Sequence, residues 1–188
     1  MMLRGKTDNH IICYHTQEFR VEGVIDEPII CISKDAWLGK GYYFWVDEEF
    51  AKYWGEDFKM STGAYDVYSV EVDITDFLNT VFNEKHYFAF KKWIEKASNH
   101  FIKKNKTVTL KRLHQFLADN FWDKMGIKGI IYDDMPINVN HKPNRKYSVV
   151  IHSEDKRHSF FYYKKRIQLV SFGIDNISNF ALHLEEQN

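Results

Sequence analysis

The order of patterns along the chain predicts an α+β domain. Strand-like stretches come first, two long runs of helical periodicity fill about residues 84–125, and strand-like stretches return afterwards. Strands and helices segregated in this way argue against an alternating βαβ architecture built on a parallel sheet. The 188 residues hold no internal repeat, no low-complexity run and no linker-like stretch, so one domain over 1–188 is expected.

Each element has its own signal. Residues 11–15 (Ile-Ile-Cys-Tyr-His) form a short apolar run that reads as a buried strand, after which Thr16 to Arg20 are expected to open a short helix or turn. Residues 28–33 are apolar and fit a strand or a packed loop. Residues 41–45 are aromatic and bounded by Gly39 and Gly41, which suits a strand entered through a tight turn. Asp47 then caps a helix through about Trp54, with Glu48 and Glu49 in the first turn, where the helix dipole favours negative charge.

Residues 66–74 alternate apolar and polar, the pattern of a half-buried strand. A helix over about 84–103 places Phe88, Trp93, Ile94, Ala97 and Phe101 near 3.6-residue spacing. A second over about 108–125 carries Leu110, Leu113, Phe116, Leu117 and Phe121 on one face. Residues 127–132 suit a strand, and 135–145, with Pro136, Pro143 and several Asn, a loop. Residues 147–152 and 159–163 are expected to pair as a hairpin around Ser153 to Arg157, and 166–172 form a strong strand candidate.

Composition narrows the function classes. Hydrophobic residues are 44% and charged residues 28%, the balance of a soluble globular protein. The 15 Phe, 11 Tyr and 5 Trp exceed what a core of this size needs, so some rings are expected to line a pocket or contact surface. Zero formal net charge excludes the global basic field of a dedicated nucleic-acid binder. Cys13 and Cys31 make neither a metal spacing nor a disulfide framework, and no metal is expected. No stretch of 18 apolar residues occurs and the start is polar, so a cytoplasmic protein without a membrane partner is expected.

Three places carry chemistry: Tyr14-His15-Thr16 at a strand end; Gly39-Lys40-Gly41-Tyr42-Tyr43-Phe44 followed by Ala51-Lys52-Tyr53; and Gln168 inside the last strong strand. Taken singly each has an ordinary structural explanation: a hydrogen-bonded histidine, core-filling rings, a solvent-facing glutamine in a half-buried strand. In this order they resemble the NAD-binding core of the diphtheria-toxin-like and poly(ADP-ribose) polymerase-like ADP-ribosyltransferases. That group carries Tyr-His-Gly-Thr near its start, then Gly-Lys-Gly-Ile-Tyr-Phe-Ala-Asp and a helical Ala-x-Tyr, and last a strand with a catalytic Glu. The stretch from Trp37 to Tyr53 is the most specific part of the match. Outside the motifs the likeness rests only on the order of elements.

The resemblance implies an ADP-ribosyltransferase fold: two packed, antiparallel-rich sheets forming an NAD cleft, with a helical insertion at about 84–125. It implies that Tyr43 and Tyr53 sandwich the nicotinamide of NAD+, such stacking contributing roughly 0.5–1.5 kcal/mol per ring pair. His15 would donate to an adenosine ribose hydroxyl, the peptide of Thr16 would pair with the carboxamide, and Gly41 would let the chain turn tightly beside the pocket. His15, Tyr43 and Gln168 are thus the candidate catalytic residues, Gln168 accepting from a ribose hydroxyl as positive charge develops.

Three departures bear on activity. Gln168 stands where the group has Glu, so its acceptor oxygen brings no charge, which argues against chain elongation and for transfer of a single unit. Thr16 stands where the group has Gly, and Phe50 where polymerases often have Ser. Glu154 and Asp155 are alternative carboxylates. The expectation is a mono-ADP-ribosyltransferase acting on a macromolecular acceptor, protein or nucleic acid. By analogy to the group it is a toxin of a toxin–antitoxin or phage-defence system, with an antitoxin protein as partner. Lys103, Lys104, Lys106, Lys111, Arg112, Lys142, Arg145 and Lys146 would form a basic rim for a nucleic-acid acceptor, or else solvated surface. Two other classes stay open: a degenerate NAD-binding or partner-binding module, and an NAD glycohydrolase or phosphate-removing relative acting on RNA.

Overall fold

A seven-stranded mixed sheet organises the protein. The computed structural model describes residues 9–21, 23–32, 36, 38–59, 63–134, 148–152, 158–162 and 165–187. The strands are β1 (His10–Glu18), β2 (Tyr42–Trp45), β3 (Ala64–Asp73), β4 (Phe77–Asn79), β5 (Gly129–Asp133), β6 (Ser148–His152), β7 (His158–Tyr162), β8 (Ile167–Ser171) and β9 (Ile177–Gln187). The helices are α1 (Glu48–Phe58), α2 (Glu84–Lys103) and α3 (Leu110–Leu117). The large sheet runs β4-β5-β8-β2-β1-β3-β9, while β6 and β7 pair by themselves as the expected hairpin strands. All pairs in the large sheet are antiparallel except β4 with β5.

The sheet is parted in its middle. β1 pairs with β3 over its whole length, from His10 opposite Asp73 to Glu18 opposite Tyr65. β2 pairs with β8 from Tyr42 opposite Ser171 to Trp45 opposite Gln168. β1 and β2 share a single register position, Tyr14 opposite Trp45. Two half-sheets, β4-β5-β8-β2 and β1-β3-β9, therefore meet at one point. The expectation of two packed sheets is corrected accordingly: the halves belong to one sheet that opens at this seam.

Side-chain alternation sends neighbouring residues to opposite faces. Phe44 and Leu169 join Cys13, Val70, Val72 and Ile131 in one buried cluster, whereas Trp45 and Val170 enter others. Val170 packs with Leu38, Phe90, Leu117 and Trp122, and Trp45 with Phe50, Ala51 and Val67.

The helices follow their caps. Asp47 accepts the Glu49 N–H at 3.0 Å to start α1, which runs one turn beyond the expected end. Asn83 and Thr109 cap α2 and α3 in the same way. α2 matches the expected 84–103, but the second helix is regular only to Leu117 and continues as a π-helical turn, Ala118–Trp122, and a 3-10 turn, Asp123–Met125. Asn120 supplies the reason: its side-chain amide donates to the Phe116 carbonyl at 2.8 Å, competing with the backbone ladder.

Other expectations also change. Residues 16–18 extend β1 instead of opening a helix or turn, because Thr16, Gln17 and Glu18 pair with Val67, Asp66 and Tyr65. Residues 28–32 take the loop form, one of the two expected there, tied to Gly41 just before β2 by hydrogen bonds between Cys31 and Gly41 at 2.8 and 3.2 Å. The loop expected at 135–145, the hairpin turn at 153–157 and the carboxylates Glu154 and Asp155 lie outside the described residues, as do Lys142, Arg145 and Lys146. Among the described residues no helix is long and apolar enough to cross a membrane.

Candidate functional site

Where β1 and β2 part, a cleft of about 470 Å³ opens. That volume falls within the roughly 300–1,000 Å³ of small-molecule sites. Its walls come from distant stretches: His15, Thr16 and Gln17 of β1, Tyr43 and Trp45 of β2, and Gln168 of β8. The loop 29–32, Ala36 and two residues of the α1 region, Trp54 and Lys59, complete it.

His15 is 7% exposed, and its Nδ1 lies 3.0 Å from the Tyr43 carbonyl oxygen. A carbonyl only accepts, so Nδ1 carries the proton and donates. Nε2 then holds a lone pair; it is buried and has no partner among the described residues. Burial drives the imidazole down to about 4; the bond to the Tyr43 carbonyl opposes the shift, and the nearby Lys59 cation reinforces it. The ring is neutral at physiological pH. His15 thus borders the cleft as a neutral ring whose Nδ1 donates to the Tyr43 carbonyl and whose Nε2 is enclosed by the protein.

Tyr43 lines the cleft with its ring while its hydroxyl is fixed elsewhere. The hydroxyl donates to the Gly39 carbonyl at 2.7 Å and accepts the Leu38 N–H at 3.1 Å. Burial pushes the phenol pKa up, so the hydroxyl keeps its proton and the ring stays neutral. Gly39, at φ 92°, makes this turn. Gly41 serves differently from its expected turn role: a Cβ there would stand 2.6 Å from Val170 Cγ1 and 2.7 Å from the Ser171 carbonyl oxygen. Gly41 is needed because the loop and β8 approach so closely, and it does not line the cleft.

Thr16 lines the cleft, and its hydroxyl donates to the Ala51 carbonyl at 2.7 Å, pinning α1 against β1. Gln168 is 5% exposed and sits mid-strand, opposite Trp45 on one side and Tyr132 on the other. Burial at a cleft wall replaces the solvent-facing position that a glutamine in such a strand would ordinarily take. His15, Thr16, Tyr43 and Gln168 thus share one hollow.

Tyr53 does not reach it. Its hydroxyl donates to Glu49 Oε1 at 2.7 Å and its ring packs edge-on to Phe50, against the cluster around Trp45 and Phe50. Trp54 lines the cleft instead, 6.0 Å from the Trp45 ring and 4.3 Å from Phe58. Helical phase explains the exchange: Phe50, Ala51 and Gly55 are the buried stripe of α1, and Trp54, at i+4 from Phe50, falls within it. Phe50 is 2% exposed in the core beneath Trp45, not in the cleft.

No family model, curated protein or solved structure matches this chain. Among the described residues no cluster of three or more His, Cys, Asp or Glu is placed to hold a metal ion. The sequence reading had not singled out the 29–32 wall, Trp54 or Lys59. The phase of α1 carried a signal for Trp54; nothing local marked the other two.

Tyr43, Trp45 and Trp54 line the cleft together with His15 and Gln168. The described lining residues include no carboxylate.

Proposed function

We propose that the chain binds NAD+ in this cleft and transfers a single ADP-ribose unit to a macromolecular acceptor on an ADP-ribosyltransferase fold. One observation carries the reading: His15, Tyr43 and Gln168, separated widely in sequence, line the same hollow at the parting of the two half-sheets. His15, neutral and anchored to the Tyr43 carbonyl, would hold that wall of the site beside the adenosine ribose. Tyr43 and Trp54 offer ring faces for the nicotinamide.

In the transfer, the bond between the ribose anomeric carbon and the nicotinamide nitrogen breaks. Its electron pair leaves with nicotinamide, the acceptor's nucleophile bonds to that carbon, and the acceptor's proton passes to solvent. Positive charge develops on the ribose, and the Gln168 carbonyl oxygen, accepting from a ribose hydroxyl, stabilises it as a dipole. A dipole stabilises less than a carboxylate, which fits single transfer better than chain elongation.

The absence of a carboxylate among the described lining residues favours a second reading, a module that binds NAD+ without turning it over. Incubation with labelled NAD+ and cell lysate separates the two. Labelled macromolecules support transfer, and protease or nuclease digestion then identifies the acceptor class. Binding without turnover supports the module, and free ADP-ribose with unlabelled macromolecules supports a glycohydrolase. A toxin with an antitoxin partner remains the biological role suggested by analogy, and growth arrest on expression is its test.

A further inference from the structure

We infer that Lys59 is the phosphate-binding residue of the cleft, so that the ligand it selects carries a nucleoside diphosphate. This rests on the reading of the cleft as a dinucleotide site and adds to it the residue that recognises the anionic middle of the ligand.

Lys59 is the only charged side chain among the described lining residues. No carboxylate pairs with it among those residues, in contrast to Lys52 on the same helix, whose ammonium lies 2.7 Å from Glu48. Among the described lining residues the charge is thus of one sign, which favours an anionic ligand. The same charge acts on His15, where it adds to burial in disfavouring a second cation. Lys59 and His15 therefore stand close together in the wall of one cleft.

Trp54 lines the same cleft five residues before Lys59. An aromatic wall beside a cation suits a ligand that joins a flat ring to an anion, as a nucleotide does, and a flexible ammonium suits the compact charge of a phosphate. Lys59 also caps the C-terminal end of α1, where a cation is favoured by the helix dipole. Ligand affinity, not stability alone, is therefore the decisive readout.

Calorimetric titration of the full chain with NAD+, ADP, inorganic pyrophosphate and adenosine tests the inference. Lys59→Ala is expected to weaken NAD+ and ADP by on the order of ten- to a hundredfold, the range of a charge-assisted hydrogen bond. Lys59→Arg should restore most of that affinity, adenosine should bind both proteins alike, and added salt should weaken wild-type ADP binding more than that of Lys59→Ala. Unchanged melting of the ligand-free variant will show that it folds. Equal NAD+ and ADP affinity in wild type and Lys59→Ala would overturn the role of Lys59 while leaving the NAD+ reading intact. Lysine-dependent binding of ADP and pyrophosphate but not NAD+ would support Lys59 and remove the NAD+ reading. A wild-type protein that binds none of the four overturns both.

Discussion

Two buried histidines, His15 in the cleft and His114 in the helical layer, make an instructive pair. Burial holds both near 4, far below the ordinary imidazole. His15 is anchored through Nδ1 to the Tyr43 carbonyl and stands in the wall of the cleft. His114 is 1% exposed, packs 5.6 Å from the Phe90 ring, and neither of its nitrogens has a hydrogen-bond partner among the described residues. Depressed proton affinity thus marks burial and nothing more. A ring fixed by one hydrogen bond in the wall of a hollow is what sets His15 apart from the wholly interior His114.

The largest expected effect is common to both. Well above 6.5 each imidazole is neutral whether the chain is folded or not, so neither makes stability depend on pH there. As pH falls through 6.5 the unfolded chain takes up protons that the folded chain refuses, and stability drops until the folded rings protonate near 4. The shift corresponds to about 3 kcal/mol for each histidine. Melting temperatures should fall steeply between neutral pH and pH 4.5, and the double variant His15→Gln/His114→Leu should show a shallower fall. NMR titration showing either ring protonating near 6.5 would contradict the burial argument.

The next effect separates them. In the labelled-NAD+ assay His15→Ala and Tyr43→Ala should each lose activity by at least about a hundredfold, whereas His114→Leu keeps it. Comparable losses in all three would make the cleft no more functional than the interior. Gln168→Ala should lower turnover about tenfold and NAD+ affinity by less, since a dipole aimed at developing charge acts mainly in the transition state. The reverse split would give Gln168 a binding role. Smallest of all, His114→Leu should raise stability by about 1 kcal/mol, because it removes buried polar atoms that lack partners; denaturant titration reads this directly.

Much of the fold was legible because local signals agreed with tertiary demands. The cap at Asp47, the periodicity of 84–103, the hairpin strands β6 and β7 and the apolar run of β8 all stand where the sequence placed them. β4 escaped notice because three residues carry no period. β9 escaped because its alternation is interrupted: Asn179 takes φ 52°, and the ladder with β3 shifts register between Ser69 and Glu71 and again between Val67 and Tyr68. In the cleft, motif order located His15, Thr16, Tyr43 and Gln168. It chose Tyr53 over Trp54 because a motif names a residue while helical phase decides which flank that residue occupies. Lys59 was invisible, since one lysine among many gains meaning only when its neighbours lack the opposite charge.

The irregular path of β9 also bears on how copies of the protein behave together in solution. An outermost strand presents backbone donors and acceptors on which a second chain can crystallise into a growing ribbon. Here Asn179 twists that border and its amide is held at 2.6 Å by a Glu71 carboxylate oxygen, while the strand's far end carries Glu185 and Glu186. A warped, acid-tipped rim makes a poor template, so the same kinks that hid the strand from pattern reading guard the molecule against edge-on aggregation.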